Sequence, residues 1–148
     1  MTSRSTTVPR LMVDAGAEST WISATVLEAI GIERRKKDLQ FQLANGQIIT
    51  RSVGYAVLKV DKPETVDEVV FAETGDLQLL GARSLEGLNL QVDARRKRLV
   101  AAGPIVSATA VPPRFGRLVQ VPAGAPKTRV KIQTKSPKGR RATKVKTR

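Results

Sequence analysis

Short stretches in which apolar and polar residues alternate, separated by turn residues, recur along the first hundred positions. That is the period of half-buried strands. Leu39-Gln40-Phe41-Gln42-Leu43 alternates strictly. Ala44-Asn45-Gly46 follows as a hairpin signal, because Asn-Gly readily takes the positive φ of a tight turn. Residues 47–60 read as a long strand, Asp61-Lys62-Pro63-Glu64 as a turn, and Val66 to Ala72 as another strand. Upstream, Thr7 to Val13 is a short strand. Downstream, residues 89–92 and 98–101 can pair across Asp93-Ala94-Arg95-Arg96. Glu33 to Asp38 reads as a solvated connection. Two short helices interrupt the pattern. In the first, Ser23 can cap, Val26, Leu27 and Ile30 share one face, and Gly31 can stop it. In the second, Ser84 can cap. The expectation is an all-β fold, a small partly closed barrel with one or two short helices.

From Ala102 the periodicity fails. Pro104, Pro112, Pro113, Pro122, Pro126 and Pro137 punctuate the chain, and Val119, Val121, Val130 and Ile132 stand isolated. Residues 1–105 are therefore expected to form one folded domain, and 106–148 a disordered Pro/Lys/Arg-rich tail. The charge divides in the same way. Residues 1–110 hold 14 Lys and Arg against 13 acids, whereas 111–148 hold 12 Lys and Arg and no acid. The body is near neutral. The end, residues 127–148 above all, is expected to touch polyanions nonspecifically.

Composition narrows the chemistry. There is no cysteine and no histidine. Thiol catalysis, thiolate metal sites and Ser-His-Asp devices are thus excluded, and neither a metal nor a cofactor is expected. No apolar run is long enough to span a bilayer, and the first ten residues lack the apolar core of a signal peptide. No membrane contact is expected, and the cytoplasm is the default location.

Hydrolysis must then rest on carboxylates, Lys, Ser or Thr. Leu11-Met12-Val13 runs into Asp14, then Ala15-Gly16-Ala17, and Trp21-Ile22 resume the apolar pattern. A carboxylate held at the end of a buried strand is costly unless it has a use. Asp61, Asp67, Asp76 and Asp93 lie in turns or polar stretches and read as solvated turn acids.

Val13-Asp14-Ala15-Gly16-Ala17, followed later by Leu79-Leu80-Gly81 and then Leu85 to Asp93, resembles the retropepsin-like aspartic proteases, especially their small bacterial branch. The resemblance covers about residues 8 to 105, and order, spacing and flanking apolar pattern agree. It implies that Asp14 is the catalytic acid and that Ala15, Gly16 and Ala17 complete its loop. It also implies that the 41–49 hairpin, with Ala44, Asn45 and Gly46 at its tip, is a flap over the substrate. Leu79, Leu80 and Gly81 would wall the groove and support the loop. Two carboxylates are needed, one ionised and one protonated. A chain with one such acid must supply the second from another copy, so a homodimer acting on peptide or protein substrates is implied. Ala15 stands where the family usually has Thr or Ser, and only 13 residues precede Asp14. A non-catalytic module that binds peptides or serves as a scaffold is therefore an open alternative. A basic nucleic-acid-binding protein acting through its tail is another.

Overall fold

The computed structural model describes residues 4–104 and 126–134. Nine strands and two short helices occur among them: β1 (Ser5–Val13), β2 (Thr20–Ser23), α1 (Ala24–Ala29), β3 (Lys36–Gln42), β4 (Ile48–Lys59), β5 (Glu64–Ala72), β6 (Leu79–Leu80), α2 (Ala82–Gly87), β7 (Leu90–Asp93), β8 (Arg98–Ala101) and β9 (Lys127–Gln133). The all-β expectation holds.

Seven strands form one sheet in the order β3-β4-β5-β2-β6-β1-β9, and β9 pairs back onto β4. Six of them therefore follow one another around a ring, with β3 attached outside it. Strand β4 makes this possible by its length. Its first half pairs with β3, and its last three residues, Val57 to Lys59, pair with Gln133, Ile132 and Lys131. Strands β7 and β8 form a separate hairpin in the expected register, Leu90 opposite Ala101 through Asp93 opposite Arg98.

The ring wraps an aliphatic core. Leu11, Val13, Ile22, Leu27, Leu58, Val69, Phe71, Leu80, Val130 and Ile132 point into it. Alternate residues of the same strands feed a second apolar cluster on the other face: Trp21, Val53, Val70, Ala72 and Leu79, with Met12, Ala17, Leu39, Phe41 and Ile49 against them. Strands β5 and β6 thus bury both faces. That is why Val69-Val70-Phe71-Ala72 and Leu79-Leu80 read as continuous apolar runs.

Three expectations need correction. The segment Lys127–Gln133 is a strand that closes the ring, with Val130 and Ile132 fully buried. It is not part of a structureless tail; the rest of that stretch, 105–125 and 135–148, lies outside the described residues. Its alternation of Lys127, Arg129 and Lys131 with Thr128, Val130 and Ile132 is the strand signal, hidden by basic composition. Strand β3 begins at Lys36 rather than Leu39, with a register irregularity between the two, so part of the presumed loop is paired. Finally, Ser84 lies inside α2, whose N-cap is Gly81.

Candidate active site

Strand β1 ends at Val13, and the next residue is the half-buried Asp14. The backbone N–H of Asp14 donates to the carbonyl of Leu80 at 3.0 Å, so the acid leaves the sheet from a fixed point beside β6. The chain then turns: Ala17 N–H donates to the Asp14 carbonyl at 3.2 Å, and Gly16 N–H donates to Asp14 Oδ1 at 2.9 Å. An Asx turn of this kind orients the carboxylate on its own backbone. Oδ2 has no hydrogen bond among the described residues and is left for water or another group. A Cβ on Gly16 would lie 3.2 Å from Oδ1, so the glycine keeps space beside the carboxylate. Ala15 is exposed.

Leu79-Leu80-Gly81 lies directly against this loop. Ala82 N–H donates to Ala17 O at 2.7 Å, and Arg83 N–H to Glu18 O at 3.1 Å. A Cβ at Gly81 would stand 2.4 Å from the Ser19 carbonyl oxygen, so only glycine allows the two backbones this close. Leu80 points into the inner core and Leu79 into the second cluster, and both side chains are buried. They support the acid loop from beneath, and any groove wall they form is indirect.

A buried polar chain underlies the same junction. Ser84 Oγ donates to Asp67 Oδ2 at 2.7 Å, because an ionised carboxylate can only accept. The Thr20 hydroxyl then donates to Ser84 Oγ, and Thr20 Oγ1 in turn accepts from Gly81 N–H at 3.0 Å. Every donor therefore points the same way, toward Asp67. Asp67 is no solvated turn acid: it lies in β5, its side chain is 10% exposed, and it also accepts from Glu68 N–H. Asp76 likewise departs from that reading. Arg51 donates to both its oxygens, at 2.6 and 2.8 Å, and this pairing holds its carboxyl below the ordinary carboxylate range. Thr20, Ser84 and Asp67 were not expected at the site. They lie far apart in sequence, and no local pattern joins them.

The 41–49 end of the β3–β4 hairpin is anchored, below its tip, to the same cluster that touches the acid loop. Phe41 meets Trp21 edge-on, with ring centroids 5.1 Å apart, and Leu39 and Ile49 pack beside them with Met12 and Ala17. Its tip is a three-residue loop, Ala44-Asn45-Gly46. Leu43 N–H donates to Gln47 O at 2.8 Å, and Gly46 N–H to Leu43 O at 2.9 Å. Gly46 takes φ +84° while Asn45 does not turn positive, so the hairpin expected at Ala44-Asn45-Gly46 turns there with the positive φ on the glycine alone. The tip is exposed, and Ile48 is 62% exposed.

A cleft of about 340 Å³ lies elsewhere, at the junction of β1, β4 and β9, and does not include Asp14. Among the described residues no helix is long and apolar enough to cross a membrane, and no cluster of three or more acids could hold a metal ion.

The family model described as gag-polyprotein putative aspartyl protease matches residues 6–87, which run from β1 through α2. No curated protein and no solved structure matches the chain.

Proposed function

The chain belongs to the gag-polyprotein aspartyl protease family, and from that premise we propose that it is an aspartic endopeptidase whose site joins the Asp14 carboxylates of two copies. The observation that carries this reading is the Asp14 loop, which stands at a strand end with one carboxylate oxygen tied to Gly16 and the other without a hydrogen bond among the described residues. In a two-fold dimer the two acids would face one another and share one proton. The ionised member takes a proton from water. The water oxygen attacks the peptide carbonyl carbon, while the protonated member hydrogen-bonds the carbonyl oxygen and delivers its proton there. Collapse of the resulting diol breaks the C–N bond: the leaving amine takes the proton held by one acid, and one diol hydroxyl gives its proton to the other, which restores the singly protonated dyad and leaves a carboxylic acid.

The hairpin serves as the flap. Phe41 and Trp21 hold it below the tip, and the Ala44-Asn45-Gly46 tip is free to close over an extended peptide and offer backbone hydrogen bonds. Leu79, Leu80 and Gly81 fix the loop on which Asp14 is carried. The folded peptidase unit takes in Lys127–Gln133 as well as the body before residue 105.

Ala15 favours a second reading, a module that binds peptides without cutting them. Its methyl group cannot make a hydrogen bond across the dimer axis, and one lost neutral hydrogen bond costs about 0.5–1.5 kcal/mol. The test is cleavage of a peptide library at mildly acidic pH by the wild type and by Asp14→Asn. Cleavage by the wild type alone, with equal melting temperatures, is the expected result. Equal cleavage by both refutes the catalytic role of Asp14, and peptide binding without cleavage by either selects the second reading.

A further inference from the structure

Strand β9 is amphipathic in an unusual sense: Val130 and Ile132 fill its inner face, and three of the four residues on its outer face are cationic. Lys127, Arg129 and Lys131 are all exposed, and Val130 and Ile132 are buried. The register brings a further cation to the same face. Lys131 lies directly opposite Lys59 of β4 on one side and Thr7 of β1 on the other. Like charges placed directly opposite on adjacent strands repel and weaken the pairing.

Among the described residues no ion pair involves Lys59, Lys127, Arg129 or Lys131. All the Asp and Glu side chains of the chain lie between residues 14 and 93, so the undescribed residues hold no acid that could cover the patch. Lys59, Arg129 and Lys131 also line the cleft of about 340 Å³, together with Thr7, Val60, Asp61 and Thr128. Three cations and two hydroxyls face one carboxylate, Asp61.

We infer that this cleft binds the phosphates of a nucleic-acid backbone. The inference is independent of the peptidase reading and uses no residue of the Asp14 loop, the flap or the Leu79-Leu80-Gly81 segment. Cations and hydroxyls around a concave site are phosphate-binding chemistry. Among the described residues Val60 is the only large apolar side chain lining the cleft and it is buried, so they offer a peptide partner no apolar anchor. Among the described residues no aromatic side chain lines it, so recognition rests on the backbone rather than on base stacking. Beyond Thr134 the chain continues with seven Lys and Arg and no acid through residue 148. A ligand seated on β9 is therefore followed by a charge run suited to a long, regular polyanion. Three cations of this face, Lys127, Arg129 and Lys131, come from the basic end of the sequence and Lys59 from the near-neutral body.

The test uses the full chain and a labelled mixed-sequence DNA duplex in a salt titration. Two variants with equal charge change are compared with the wild type: Lys59→Gln/Arg129→Gln/Lys131→Gln in the cleft, and Lys135→Gln/Lys138→Gln/Arg140→Gln after it. The cleft variant is expected to bind about tenfold more weakly than the other, with its log K against log salt slope shallower than wild type by about 2 to 3. At low salt its melting temperature should equal or exceed that of the wild type, since repulsion is removed. Inorganic phosphate should raise the melting temperature of the wild type but not of the cleft variant. Should the triple variant melt lower, Lys59→Gln alone must still weaken DNA binding without lowering the melting temperature. Equal losses in the two triple variants would show that only overall charge matters and overturn the site. A response to phosphate with unchanged DNA affinity would make it a small-anion site. Competition by poly-glutamate as effective as by unlabelled DNA would assign it to acidic polypeptides. Either of these last two results overturns the nucleic-acid assignment.

Discussion

At the scale of single residues, two glycines flank the acid and do different work. A Cβ at Gly16 would touch only the Asp14 carboxylate, whereas one at Gly81 would strike the Ser19 backbone. Gly16→Ala should lower kcat by turning the carboxylate while leaving the melting temperature nearly unchanged. Gly81→Ala should destabilise by about 1–3 kcal/mol, as overpacking against a fixed backbone does. Thermal melts alongside peptide cleavage separate the two. The Asp14 loop could be read from sequence because its signal is local: an apolar strand, an acid, small residues, then apolar residues again. The Asp67–Ser84–Thr20 chain could not, because a hydroxyl in a helix and a carboxylate in a strand carry no mark of which partner the fold will bring. Their residue types pointed to a helix cap and a turn, the commoner uses of Ser and Asp.

At the scale of elements, the loop between β5 and β6 is pinned to β4 by Arg51 and Asp76, whose side chains are only 20% and 13% exposed. Asp76 also accepts from Glu73 N–H, closing the loop on itself. The Arg51 guanidinium holds the Asp76 carboxyl below its usual range. A carboxylate whose folded-state pKa is depressed adds stability above its unfolded pKa and loses it as pH falls through the folded value. Asp76→Asn should therefore cost about 1–3 kcal/mol at neutral pH, and the difference should shrink below about pH 4, near the ordinary Asp value. Denaturant melts of both proteins across pH check this; a difference that stays constant into acid would mean that the charge is not what stabilises. The hairpins were legible because alternation and turn residues suffice to define them. Strand β6 has two residues, too few for any period, and is a strand only because β1 and β2 lie on either side of it. Strand β3 extends back to Lys36 because its backbone pairs with Val53 of β4 beyond a register irregularity, a contact between distant segments that the Lys36–Glu68 ion pair accompanies.

At the scale of the whole molecule, closure of the ring depends on a strand far from the others in sequence. Fully burying Val130 and Ile132 contributes about 1.5–3 kcal/mol each, and β9 covers edges of both β1 and β4. Deleting residues 111–148 should therefore cost the domain its cooperative unfolding transition, whereas deleting 135–148 should preserve it. Circular dichroism melts of the two truncations distinguish them, and a cooperative melt of the shorter chain would show that β9 is dispensable. The same scale carries the central claim, since one chain provides one Asp14 and the proposed site needs two. The most direct measurement is peptidase activity of a fixed amount of wild-type chain mixed with increasing Asp14→Asn chain under conditions of subunit exchange. Pairs holding one acid should be inactive, so activity per wild-type chain should fall to about one half at equal amounts and continue downward with excess variant. Activity that stays constant across the titration would contradict a site shared between two copies.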